Sequence, residues 1–160
     1  MYNIGDKVVY PLHGAGVITS VEDRDILGEK KQYFVMQMPI DEVEVLIPVE
    51  SLDRIGVRSI IDTNVADDVL RDFKEYEIEF NNNWNKRYRE NMIKIKSGDI
   101  YEVAHVVKAL MLRDRERGLS SGERKMLISA RRIFVSELVL AKCADIQYIE
   151  DCIEDIISAI

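Results

Sequence analysis

Long apolar runs are missing from this sequence. The longest are a few residues, as in Ala109-Leu110-Met111-Leu112, far short of the roughly 20 that a bilayer-spanning helix needs. A transmembrane helix is therefore excluded, and no membrane partner is expected. Met1 to Tyr10 lack a basic region followed by an apolar block, so no secretory signal is read and a cytoplasmic protein is expected. Cysteine and histidine are scarce: Cys143, Cys152, His13 and His105 are the full set. They offer no four-ligand zinc site and no disulfide framework, so no metal is expected and the cysteines read as reduced, half-buried thiols in helices. Internal repeats and low-complexity tracts are also absent. What remains is 160 residues with an apolar fraction of 47% and a charged fraction of 32%, enough to fill and cover one domain or two compact ones.

The net charge of -7, from 22 basic and 29 acidic residues, hides an uneven distribution. Residues 1–80 carry -9, residues 81–142 carry +7, and residues 143–160 carry -5. A basic middle between acidic flanks can attract phosphates locally despite the global sign, although solvated helix faces would give the same count.

Two hydrophobic periods divide the chain. From Ile4 to about Ile55, short β-rich runs (Lys7–Tyr10, Val17–Val21, Gln32–Met38, Val43–Ile47) alternate with turn signals at Pro11, Gly14, Gly16 and Gly28. Four or five short antiparallel strands fit a small SH3-like or Tudor-like barrel. In the last run Val43, Val45 and Ile47 face the core and Leu46 points away. Beyond Gly56 the spacing becomes three and four, and everything reads as helix. Ser97-Gly98-Asp99 can end one helix and cap the next, Gly118 can stop that one, and Ser120 with Glu123 forms a capping box. A last helix beginning at Asp145 sets Ile146, Ile149, Ile153, Ile156 and Ile160 on one stripe. The expected class is α+β: a Tudor-like or SH3-like barrel over residues 1–58, then a compact all-helical domain over 59–160.

Catalysis needs convergent groups, and none is found. Neither histidine has a ligand-like spacing, the cysteines lie among carboxylates that raise thiol pKa, and Gly14-Ala15-Gly16 is too short for a phosphate loop. No enzyme is expected, and no cofactor. The segment Asn81-Asn82-Asn83-Trp84-Asn85-Lys86-Arg87-Tyr88-Arg89 is different. The only tryptophan starts a helix followed by three cations, with no carboxylate until Glu90, so backbone N–H groups and side chains together suit an anion such as phosphate. Spacing alone, with Tyr88 four residues on, favours Trp84 as the start of a buried stripe. Arg113, Arg115 and Arg117, interleaved with Asp114 and Glu116, read as a salt-bridged helix end. Arg124-Lys125 and Arg131-Arg132, seven apart, can share a face about 10 Å long, suited to a phosphate backbone or to solvent.

These pieces resemble the CarD/CdnL family of bacterial RNA polymerase-binding transcription regulators. Gly5-Asp6-Lys7-Val8-Val9-Tyr10-Pro11 with His13-Gly14 is similar to that family's barrel opening, shared with transcription-repair coupling factors. Trp84-Asn85-Lys86-Arg87-Tyr88, Ser97-Gly98-Asp99, the run Arg113 to Ser120, and Gly122 to Leu127 follow its helical domain in order. The resemblance implies a domain that docks on the polymerase β subunit and tethers a helical domain against promoter DNA at the upstream edge of the bubble. There the family's tryptophan, matched by Trp84, wedges into the minor groove and slows bubble collapse. Arg24 and Ile26 match polymerase-contact positions. Another such position, basic in some members, is Leu46 here, which replaces charge with apolar contact. Lys86, Arg87, Arg89, Arg124, Lys125, Arg131 and Arg132 are the expected DNA-backbone contacts, and a monomer is expected. A free-standing, sequence-nonspecific nucleic-acid-binding protein is the alternative, with an enzyme or purely structural protein behind it.

Overall fold

In a computed structural model describing all 160 residues, the alternating N-terminal runs form five strands: β1 Lys7–Tyr10, β2 Gly14–Ile26, β3 Glu29–Gln37, β4 Glu44–Pro48 and β5 Arg58–Ser59. They pair antiparallel in the order β4-β3-β2-β1-β5. One face buries Val8, Ile18, Phe34, Met36 and Ile47, with Met38 completing a six-residue core. The hairpin β2–β3 is longer than the sequence pattern suggests. Its turn residues Leu27 and Gly28 both have positive φ, 54° and 81°, as a two-residue type I′ hairpin requires. The expectation of helix throughout beyond Gly56 is corrected at Arg58–Ser59, which pair with Val9 and Val8. Gly56, at φ 84°, ends the short α1 (Leu52–Ile55) and returns the chain to the sheet edge, so the sheet runs through Ser59.

Five longer helices follow: α2 Thr63–Glu75, α3 Trp84–Lys96, α4 Ile100–Arg117, α5 Ser121–Lys142 and α6 Ile146–Ser158. Side chains of Asp62, Asn83, Asp99 and Ser120 accept from backbone N–H groups of the first turn and cap the first four of these, each such cap contributing about 1 kcal/mol. Asp145 precedes α6 without such a bond. The helices share a 23-residue apolar core in which Phe73 and Phe134 pack at 5.4 Å between ring centres. In α6 the buried residues are Ile149, Ile153 and Ile157. Ile160, expected on that stripe, is exposed because it lies beyond the end of α6 at Ser158. Cys143 is also corrected: it closes α5 in the left-handed conformation, φ 49°, and is exposed, while Cys152 is half-buried in α6. His105 stacks on Tyr76 at 3.5 Å with Nε2 2.7 Å from Asp72.

The two modules meet where β2 crosses α5. Gly14 has φ 116°, and a Cβ there would lie 2.7 Å from Ser136 Oγ. The neighbouring Ala15 N–H donates to that same hydroxyl at 2.9 Å. Beside it, Arg58 makes two 2.7 Å hydrogen bonds to Glu137, whose carboxylate also accepts from Ile61 N–H at 2.9 Å. Glu137 is fully buried, so this fork fixes the β module against the helices through a desolvated ion pair.

Candidate nucleic-acid interface

Asn83 caps α3 by accepting from Lys86 N–H, which puts Trp84 at the first helical position. The tryptophan is 42% exposed, so the buried-stripe placement favoured by spacing is corrected. A bracket of contacts holds the indole. Its ring stacks on Tyr88 at 5.0 Å and 19°, and Nε1 donates to Ser120 Oγ at 3.1 Å. Ser120 is the N-cap of α5, and Gly122 in the first turn lies against both aromatic rings. Two helix starts therefore converge on one exposed indole. Each start offers unpaired backbone N–H groups and a partial positive charge.

The convergence depends on a pair that the linear sequence does not announce. Arg87 donates from Nε and Nη2 to Glu123 at 2.8 and 3.1 Å, and from Nη1 to Asn81 O at 2.8 Å. Glu123 is 1% exposed. The Arg87 guanidinium holds its carboxyl below the ordinary value of 4.5 against the opposing effect of burial. Arg87, expected as a phosphate contact, is paired with a buried carboxylate, and only the Ser120 half of the expected capping box forms: Ser120 Oγ accepts from Glu123 N–H at 3.2 Å while the Glu123 carboxylate turns to Arg87.

The remaining cations divide by partner. Arg89 and Lys125 are exposed and have no ion-pair partner, and Lys86 lies 3.9 Å from Glu90. Arg124, in the first turn of α5, pairs with Asp114 at 3.2 Å while staying half exposed. Arg131 instead reaches Glu154 of α6 at 2.9 Å, and Arg132 turns toward Asp41 of the β module at 3.5 Å. Trp84, Lys86, Arg124 and Lys125 thus gather at the two helix starts. Arg131 and Arg132 lie further along α5 on contacts of their own.

On the sheet, register puts Arg24, Ile26 and Leu46 on one face. Leu46 lies opposite Val35, which lies opposite Ser20; two rows further along β2 comes Arg24 opposite Lys31, then Ile26 opposite Glu29. Two rows span about 14 Å. Arg24 donates to Glu22 at 2.7 and 3.0 Å, Ile26 is 44% exposed and Leu46 is half-buried. Sequence reasoning passed over Leu27, fully exposed at the hairpin tip beside them.

Residues 2–61 match the CarD-like/TRCF RID domain, and residues 68–154 match the CarD C-terminal domain. The second match alone covers more than half of the chain. The chain belongs to the CarD family. It is also similar to the Bacillus subtilis (strain 168) protein named "Putative transcription factor YdeB", with 38% identity over 142 residues, 89% of this chain and 93% of that one. The junction between the two CarD domain matches falls at residues 62–67, between β5 and the body of α2, and the Arg58–Glu137 fork bridges it. No helix is long and apolar enough to cross a membrane.

Proposed function

We propose that this CarD-family chain is a non-catalytic transcription regulator. On this reading it docks on the RNA polymerase β subunit through the sheet face carrying Arg24, Ile26 and Leu46, and stabilises the open promoter complex by contacting DNA at the upstream edge of the bubble. The observation that carries the reading is the exposed, bracketed Trp84 at two converging helix starts. An apolar wedge in the minor groove must offset a few kcal/mol of unstacking. Immobilising the indole beforehand, through Tyr88 and Ser120, lowers the entropy lost on contact. Lys86, Arg89, Arg124 and Lys125 supply phosphate contacts that position the wedge without reading sequence. The acidic β module and tail oppose free DNA binding, so docking on the polymerase provides the effective concentration that the helical module lacks. The fork between the modules keeps the wedge at a fixed offset from the docking face.

The direct test is the lifetime of open complexes on a linear promoter fragment after adding a competitor, with and without the protein. A longer lifetime that requires the β-subunit contact supports the proposal. An unchanged lifetime, with duplex DNA bound equally well in the absence of polymerase, favours the free-standing nucleic-acid-binding protein.

A further inference from the structure

The β2–β3 hairpin closes through a two-residue turn, Leu27-Gly28, between the paired Ile26 and Glu29. Both turn residues have positive φ, 54° and 81°. Gly28 is the residue type such a turn calls for, since it has no Cβ to clash there. Leu27 is not: a side chain in the left-handed region costs free energy that Asn and Asp partly escape by local hydrogen bonding. The favoured sequence for this turn is Asn-Gly, one substitution away from the Leu-Gly present. Leu27 is also 100% exposed, so burial in the core does not offset the backbone cost. β1 pairs with β2 only over Gly14–Val17, and β4 with β3 only over Tyr33–Gln37, so the turn stands about 14 Å beyond the last row of β4. Ile26, 44% exposed, joins Leu27 in an apolar tip. Charges of both signs surround it: Arg24 pairs with Glu22, and Lys31 with Glu29 and Glu50.

We propose that Leu27 is an apolar anchor that inserts into an apolar socket on the polymerase β subunit, with the charged collar pairing at the rim. The inference rests on the docking reading above and extends it from the sheet face to the hairpin tip. Backbone strain with no use in folding is retained where the strained residue serves binding. The tight turn also holds the side chain on a rigid support, which limits the entropy lost on docking. The burial of a whole leucine side chain is a gain that a polar partner surface would not supply. A lipid surface is disfavoured by charge, because residues 1–80 carry -9 and cytoplasmic membrane leaflets are themselves negative.

The test measures binding of full-length variants to immobilised core RNA polymerase, alongside their thermal melts. Leu27→Asn installs the residue the turn favours, so the chain should melt at the same or a higher temperature while its affinity falls about tenfold to a hundredfold. That factor should be the same at about 0.1 M and about 0.5 M salt, because the lost contact is apolar. Leu27→Met keeps the apolar bulk and should retain affinity within about threefold. Unchanged affinity in Leu27→Asn would overturn the anchor. So would a melting temperature lowered by more than about 4 °C, which would make Leu27 part of the fold. Self-association of the wild type that Leu27→Asn abolishes, with polymerase binding unaltered, would assign the tip to a second copy and overturn it as well. Arg24→Glu separates the anchor from the reading beneath it: binding lost there but kept in Leu27→Asn removes the anchor alone, whereas binding kept in both removes the docking face itself.

Discussion

Replacing Arg87 with methionine separates a positioning role from a phosphate-binding one. In the folded chain Glu123 is 1% exposed and takes two hydrogen bonds from Arg87. Its other partners are Ser120 Oγ at 3.4 Å and Arg113 at 3.9 Å. Removing one member of a buried pair leaves an uncompensated charge and costs about 3–5 kcal/mol. In a chain of this size each kcal/mol moves the melting temperature by about 2–4 °C, so a loss of about 6–20 °C is expected. The double variant Arg87→Met with Glu123→Leu removes both charges and should recover most of that loss. The pH dependence has a definite sign. Because the folded-state pKa of Glu123 lies below its ordinary 4.5, the stabilisation is complete above about pH 4.5 and is lost as pH falls through the folded value. Wild type should therefore lose stability relative to the double variant on acidification through that window. Circular-dichroism melts of the three proteins between pH 3 and pH 7 are the assay. A loss below about 1 kcal/mol in Arg87→Met, with the DNA salt slope reduced by about 0.9, would refute the positioning role and restore Arg87 as a phosphate contact.

Three further outcomes follow from the geometry. Glu137→Ala leaves Arg58 half-buried and unpaired and removes the acceptor for Ile61 N–H, so it should cost about 3–5 kcal/mol in thermal melts; a shift under about 1 kcal/mol would mean that the fork contributes little to the module junction. Arg24→Glu should keep the melting temperature, since Arg24 is itself exposed and pairs only with the half-buried Glu22, yet reduce capture of the isolated β-subunit lobe by about tenfold or more, as expected for a contact contributing about 2 kcal/mol; unchanged capture would place the docking face elsewhere. Neutralising Lys86 or Lys125 should reduce the slope of log affinity against log salt by about 0.9 each on duplex DNA, whereas Arg131→Ala should leave the slope unchanged; equal effects from all three would mean that the ion pair with Glu154 opens on DNA.

What could be read from the sequence was what depends on near neighbours. The caps at Asp99 and Ser120 stand three or fewer residues from the N–H groups they accept from, and the strand and helix periods sort buried from exposed positions within one element. The missed features depend on distant partners. Arg87 meets Glu123 36 residues away, and Arg58 meets Glu137 79 residues away, so neither local charge nor spacing distinguishes them from surface groups. Trp84 shows the same limit. Its spacing to Tyr88 is that of a core stripe, but the surface beneath the pair is the first turn of α5, which brackets the rings without covering them. The strand β5 is two residues long, too short for any period to register.

The most direct measurement of the central claim is the open-complex lifetime with Trp84→Ala. Because the indole is 42% exposed and contributes one hydrogen bond to Ser120, truncation should leave polymerase capture intact and cost much less folding stability than the roughly 3–5 kcal/mol of a buried tryptophan. Losing about 1–3 kcal/mol of aromatic–base contact should shorten the lifetime by about 5- to 150-fold if the loss falls wholly on bubble closing. A large drop in melting temperature with an unchanged lifetime would contradict the account and return Trp84 to a structural role.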